Sequence, residues 1–221
     1  MKIGIIGYGE IGRAVDEVYK AKGLQTHIKD LDKGEDLDEC RFLHICIPFS
    51  DSFITTVSDY AKQLEPEFLI IHSTVPPGTT DSITGCSNVV HSPVRGIHPN
   101  LYEGLITFPK VVAGKDCTTV AEHFRSDLGL TVREYDQAKT SEASKLLSTT
   151  YYGLCIAFHD YANTICEDND LCFDEVMTEW NMDYNQGYKE LGMNNVVRPV
   201  LYAPKGKIGG HCIVPNANIL K

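Results

Sequence analysis

No apolar run in this chain of 221 residues approaches the roughly 20 residues that a bilayer-spanning helix needs. The opening MKIGIIGYGEIG is interrupted by glycines within its first apolar run, so neither a secretory leader nor a membrane anchor is expected, and a cytoplasmic protein is. Positive charge is also in short supply. Twenty Lys and Arg stand against 30 Asp and Glu, a formal net charge of -10, and no basic block is long enough to follow a phosphate backbone. Nucleic acid is therefore not an expected partner, and an anionic ligand has to be held by local dipoles and a few cations working against the net field. The eight cysteines, Cys40, Cys46, Cys86, Cys117, Cys155, Cys166, Cys172 and Cys212, include no CxxC pair. They read as reduced and, Cys212 apart, as small buried hydrophobes. His91, His98, His211 and Cys212 show no ligand pair at zinc spacing, so no metal is expected. What remains is an ordinary folded composition, 43% hydrophobic and 23% charged, sufficient for one large domain or two modest ones.

Short β-rich runs alternate with helical ones over the first 135 residues: Lys2 to Ile6, Gln25 to Lys29, Phe42 to Ile47, Phe68 to His72, Asn88 to His91, Lys110 to Ala113 and finally Leu130 to Tyr135. Such alternation predicts a parallel sheet covered on both faces, and nearly continuous apolar runs such as FLHICIP fit central strands buried on both sides. From Thr140 the period changes. Leu147, Tyr151, Leu154, Phe158, Tyr161 and Ile165 recur at spacings of four and three, which makes one apolar stripe on a long helix. Thr140 or Ser141 is placed to cap it, with Glu142 near the positive end of its dipole. A second helix is expected around Phe173 to Leu191, followed by a loop-like tail from Val197. The predicted domains are residues 1–137 and 138–221: a doubly wound α/β sheet domain, then a smaller helical domain with a long central helix.

Gly7, Gly9 and Gly12 form GxGxxG directly between a strand and a helical run. In this context the first glycine makes the tight turn, the second lets the backbone approach a pyrophosphate, and the third lets helix and strand pack closely, with the helix N-terminus facing the phosphate. The first domain is thus expected to be of Rossmann type. Asp30, 18 residues past Gly12 at the end of the second strand, is placed to accept from a ribose 2′-hydroxyl, which favours NAD over NADP. With Glu10 and Ile11 in the first helical turn and Pro48, Ser73 and Thr74 at later strand ends, these are the expected cofactor-binding residues.

Three further stretches invite a chemical reading: STVPPGTT (Ser73 to Thr80), Lys145 on the long helix, and GKIGGHC (Gly206 to Cys212). Lys145, Thr149 and Tyr152 share one helix face. Two glycines before Cys212 leave little bulk around its sulfur, and a nearby cation would favour the thiolate. Taken with GIIGYGEIG, Asp30 and the EASKLL segment around Lys145, these stretches resemble the UDP-glucose/GDP-mannose dehydrogenase family in order and approximate spacing. Members of that family oxidise a sugar C6 alcohol to the carboxylate with NAD and are linked to polysaccharide biosynthesis. The resemblance implies that Gly7, Gly9, Gly12 and Asp30 hold NAD, that Thr74 lies near the active-site water, that Lys145 stabilises oxyanions and that Cys212 is the nucleophile. It also implies that the long helix mediates a homodimer.

The departures are specific. Thr149 stands where the family has Asn, Asn216 where it has Asp, Val94 where it has the first glutamate of the loop after the fifth strand, and His98 where it has the second. The sequence ends nine residues after Cys212, where the family continues into a domain that binds the nucleotide of its substrate. The expected function is an NAD-dependent oxidoreductase acting on a CH–OH group of a sugar or nucleotide sugar, with Cys212, Lys145, Thr74, Thr149, Asn216 and His98 as candidate catalytic residues. Two alternatives stay open: a non-catalytic NAD-binding or assembly protein that kept the fold, and a one-step alcohol dehydrogenase on a smaller substrate.

Overall fold

A computed structural model describes residues 1–203 and 213–220. The GKIGGHC stretch with Cys212 lies outside the described residues. The chain divides into two compact units, Met1–Leu146 and Leu147–Lys221.

In the first unit β1 (Ile3–Ile6) leads into α1 (Glu10–Ala21), then β2 (His27–Asp30), β3 (Lys33–Gly34), β4 (Phe42–Ile45), α2 (Phe53–Leu64) and β5 (Phe68–Ile71). A 3-10 turn (Thr80–Ser82), β6 (Val89–His91), α3 (Leu101–Thr107), β7 (Lys110–Ala113), α4 (Thr118–Ser126) and β8 (Val132–Tyr135) follow. The strands make one sheet in the order β3-β2-β1-β4-β5-β6-β7-β8. From β2 to β6 neighbours run parallel, as expected. At the margins the strand direction reverses. β3 folds back on β2 as a hairpin, and β7, with β8 parallel to it, runs against β6. Neither reversal leaves a mark in the sequence: β3 has two residues, and KVVA is apolar whichever way it runs.

Alternation along each strand feeds two separate cores. Ile3, Ile5, Phe42 and Ile70 point to the layer of α1 and α4, against Val15, Tyr19 and Phe124. Ile6, Leu43, Leu69 and Ile71 point to the layer of α2, against Phe53, Val57 and Ala61. A fully buried side chain of this size contributes about 1.5–3 kcal/mol, so both faces of the central strands are strongly specified. The functional strand ends are thereby held on a rigid platform.

The helix α5 (Ala138–Asp168) begins earlier than expected, and Ser141 and Glu142 are buried rather than capping. Its first turns pack with the sheet unit, through Ala138, Ser141, Glu142 and Leu146, and the two compact units divide inside this helix. The second unit continues with a π-helical stretch (Asp174–Glu179) running into α6 (Trp180–Glu190), and with α7 (Ile213–Ile219). α7 replaces part of the loop expected after Val197. Pro215 lies in its first turn, where a missing N–H is tolerated, so proline there signals no break. Gly153 lets α7 approach α5, since a Cβ there would meet Ile213 Cγ2 at 2.5 Å. The small core of this unit is Ala162, Cys166 and Phe173 with Met177 and Ala203. The six residues of the α5 stripe face the other way and are 43% to 65% exposed. No helix among the described residues is long and apolar enough to cross a membrane.

Candidate functional site

The sheet order reverses between β1 and β4, and in open sheets of this kind a crevice forms there at the carboxyl ends of the strands. The three glycines occupy it in distinct ways. Gly7 has φ +89°, and a Cβ on it would lie 2.8 Å from Cys46 O, so the tight turn excludes any side chain. Gly12 carries α1 against β1: a Cβ there would come within 2.0 Å of Gly7 O. Gly9, the residue just before α1, has nothing within 4 Å of where its Cβ would be. Its bareness serves no internal packing and leaves open the approach to the helix N-terminus. That cradle fits a dinucleotide pyrophosphate.

Asp30 ends β2 on the same edge, and its carboxylate accepts from Tyr8 N at 2.9 Å and Leu31 N at 2.8 Å. The glycine turn and the carboxylate are therefore one fixed piece. Tyr8, between the first two glycines, turns its hydroxyl to Asp16 Oδ2 at 2.5 Å. Asp16 is buried and also accepts from Lys20 Nζ at 2.7 Å and Thr26 Oγ1 at 2.5 Å. Burial raises its carboxyl pKa, but the three hydrogen bonds together outweigh that effect and hold it below the ordinary carboxylate value.

Pro48, Ser73 and Thr74 follow β4 and β5 at this edge. Ser73 Oγ donates to Ile47 O at 2.5 Å, and its carbonyl accepts from His91 Nε2 at 3.1 Å. His91, kept neutral by burial with its pKa lowered to about 4, takes the Ser141 hydroxyl on Nδ1 at 2.5 Å. Glu142, which sequence reasoning assigned to the helix dipole, instead accepts from Gly78 N at 2.5 Å, Thr80 N at 2.8 Å and Thr80 Oγ1 at 2.6 Å. It clamps the STVPPGTT loop onto α5. One turn further on, Lys145 is half-buried and donates from Nζ to Val94 O at 2.8 Å. The lysine is thus held by the loop in which Val94 replaces an acidic residue of the resembled family.

His98 pairs through Nδ1 with Glu10 of the first α1 turn. In the second unit, Asn216 Nδ2 donates to Thr149 Oγ1 at 3.1 Å, so these two, named separately from the sequence, form a pair. Tyr152 is exposed. Sequence reading missed Glu142 as a clamp and Lys110 altogether. Lys110 is buried on β7 and donates to the carbonyls of Ser92 at 2.7 Å and Pro93 at 3.0 Å.

No protein-family model and no curated protein matches the chain. Its fold is similar to that of solved structures. UDP-D-ManNAc dehydrogenase from Pyrococcus horikoshii matches at 17% identity and a TM-score of 0.80, over 100% of this chain and 64% of that one. NDP-N-acetyl-D-galactosaminuronic acid dehydrogenase from Methanosarcina mazei Go1 matches at 20% identity and a TM-score of 0.66, over 99% of this chain and 59% of that one. The 3-hydroxyisobutyrate dehydrogenase of Mycobacterium tuberculosis matches at 14% identity and a TM-score of 0.66, over 84% and 70%. The chain therefore spans less than two thirds of the two nucleotide-sugar enzymes. At such identities the likeness is one of fold: a mostly parallel Rossmann-type sheet unit followed by a helical unit.

Proposed function

We propose that the chain is an NAD-dependent oxidoreductase acting on a CH–OH group of a sugar or nucleotide-sugar substrate. The carrying observation is the cradle itself. Gly7 and Gly12 are bare because their own fold forbids a side chain, whereas Gly9, just before the first helix, is bare toward open space and leaves room for a ligand to approach the backbone closely. Gly7, Gly9 and Gly12, with Glu10 and Ile11 in the first turn, would hold the pyrophosphate, Asp30 the ribose hydroxyls, and Pro48, Ser73 and Thr74 the nicotinamide side. NAD, when bound, supplies the hydride acceptor.

Lys145, fixed by Val94 O at the same sheet edge, contributes positive charge where an alcohol would develop oxyanion character. Glu142 keeps the loop of Thr74 in register with that lysine through Gly78 and Thr80. Cys212 as nucleophile is carried from the family resemblance alone, as are roles for Thr149, Asn216 and His98. The fold shared with nucleotide-sugar and hydroxyacid dehydrogenases supports this class of reaction.

A second reading, an NAD-binding protein without catalysis, draws on the loop after β6: Val94 offers no acid or base, and its carbonyl takes up the Lys145 ammonium. One experiment separates the two. NAD reduction is followed by the near-ultraviolet absorbance of the product over a panel of sugar nucleotides, free sugars and small hydroxy acids. Turnover that falls at least about 100-fold in Lys145→Ala, with NAD affinity retained, supports the enzyme. NAD binding with no turnover on any member of the panel supports the binder.

A further inference from the structure

Through the core of the sheet unit, on the α1 side, runs an unbroken line of buried polar groups that the proposed reaction leaves unused. At its outer end Asp127, half-exposed, meets His123 Nδ1 at 2.6 Å. His123 Nε2 lies 2.8 Å from the Tyr19 hydroxyl, which lies 2.8 Å from His44 Nε2. His44 Nδ1 lies 2.8 Å from His72 Nε2. His72 Nδ1 is 2.6 Å from Ser92 O and 3.2 Å from Lys110 Nζ. Tyr19 and the three histidines are all at most 5% exposed. A cavity beside them, about 10 Å³, is no larger than a single water. Bulk water does not reach this line, so its hydrogen bonds must be filled by its own protons.

Counting those protons is informative. Five links join Asp127 to Ser92 O, and both end groups only accept. Three neutral imidazoles and one phenol bring four protons. With every link filled, the line holds one extra proton, and two arrangements can carry it: the first fills all five links, and the second leaves no proton between His72 Nδ1 and Ser92 O, each of which accepts from Lys110 Nζ instead. In the first, His123 is an imidazolium against Asp127, Tyr19 donates to His44, His44 donates from Nδ1 to His72, and His72 donates from Nδ1 to Ser92 O. Lys110 is then a neutral amine whose two N–H groups go to Ser92 O and Pro93 O. In the second, the His123 Nδ1 proton stays on Asp127's side and the other four each pass to the next group inward. The proton on His123 Nε2 passes to Tyr19 O, that of Tyr19 to His44 Nε2, that on His44 Nδ1 to His72 Nε2, and that on His72 Nδ1 to Lys110 Nζ. Lys110 becomes an ammonium with three donors and three acceptors in reach: His72 Nδ1, Ser92 O and Pro93 O. Both hold the same protons, and they differ in where the positive charge sits and in whether His72 Nδ1 donates to Ser92 O or accepts from Lys110 Nζ.

We infer that Asp127, His123, Tyr19, His44, His72 and Lys110 form a proton relay, moving one shared proton between the surface carboxylate and the amine that grips the Ser92–Pro93 carbonyls. Burial disfavours charge on His44, His72 and His123 and holds the His123 pKa below its ordinary value, with Asp127 acting against burial there and Arg41 with it. Burial lowers Lys110 to about 7, with Lys145 and Arg95 acting in the same direction and Cys46 against it. His91, also near His72, is neutral. The relay requires nothing of the proposed reaction. It links proton uptake at the surface to the loop whose next carbonyl, that of Val94, holds Lys145.

The test is ring-nitrogen NMR of His44, His72 and His123 in the full chain, between about pH 5 and 8. A relay gives all three rings one common midpoint, with tautomer-averaged shifts for His44 and His72. In Asp127→Asn, a surface change that leaves the core intact, that shared midpoint falls by about one pH unit. Tyr19→Phe, which removes only the bridging oxygen, confines the titration to His123. If His123 titrates alone in the wild-type chain while His44 and His72 keep fixed Nδ1–H tautomers throughout, the line is a static polar core and the relay is overturned. Unlinked midpoints, or a shared midpoint indifferent to Asp127→Asn, overturn it equally.

Discussion

Gly9 and Gly12 stand three residues apart in one motif, yet they are bare for different reasons, and substitution separates the reasons. Gly12→Ala drives a Cβ into the Gly7 carbonyl, backbone against backbone, and should cost about 1–3 kcal/mol or more of stability, read by chemical denaturation. Gly9→Ala meets nothing and should unfold as the wild type does, within about 0.5 kcal/mol. Its NAD affinity, measured by calorimetry, should fall about tenfold or more, equivalent to about 1.4 kcal/mol. A Gly9→Ala chain that binds NAD unchanged would sink the cradle. Cysteines give a second test at this scale. Burial raises the thiols of Cys46 to about 12 and Cys40 to about 11, whereas Cys172 is exposed. Under limited iodoacetamide treatment Cys172, the exception among cysteines that are otherwise mainly packed, should label well before either. The glycines were legible in the sequence because their roles are settled within a few residues. Glu142, His44, His72 and Lys110 were not. The partners of Glu142 lie 62 and 64 residues away, and only the fold brings them within reach.

At the scale of elements, the β-rich runs marked seven of the eight strands, and β1, β4 and β5 stand out most because burial on both faces leaves a continuous apolar signature. The two-residue β3 and the seven-residue α7 were too short to show a period, and the start of α5 was misplaced because Ser141 and Glu142, good capping residues by type, are used for tertiary contacts. The joint between α5 and the STVPPGTT loop should accordingly be sensitive. Glu142→Gln turns one acceptor into a donor facing N–H groups in a buried place, and should cost about 1–3 kcal/mol. The joint between α1 and β2 has a pH signature instead. The Asp16 carboxyl is held below its unfolded value, so the stability it contributes is present above about pH 4 and is lost as pH falls through the folded pKa. Asp16→Asn should therefore be clearly less stable than the wild type at neutral pH, and the gap should close on acidification below about pH 4. A gap independent of pH would mean that the ionised carboxylate is not what holds Tyr8, Lys20 and Thr26.

For the molecule as a whole, the second unit poses the larger physical question. Its core is small, and its longest helix turns Leu147, Tyr151, Leu154, Phe158, Tyr161 and Ile165 outward. Beside them a groove of about 480 Å³ between α5 and α6 is lined by Tyr151, Leu154, Phe158, Met177 and Trp180. Within it, His159 donates from Nδ1 to Cys155 O at 2.7 Å, while its buried Nε2 has no partner among the described residues. An apolar stripe of this length, next to an unsatisfied acceptor, fits burial against another surface better than exposure to water. The proposed homodimer through α5 supplies that surface from an identical stripe, as a two-fold contact requires. Opposing it, each copy carries a net charge of -10, so added salt should tighten the association by screening, the reverse of its effect on an interface held by ion pairs. Sedimentation at micromolar concentration should give a dimer that strengthens from low to physiological salt. Phe158→Glu, on the exposed face and away from the unit's core, should give a monomer with unchanged far-ultraviolet dichroism. A wild-type monomer under the same conditions would leave the stripe without this partner, and a dimer that survives Phe158→Glu would place the contact on another face.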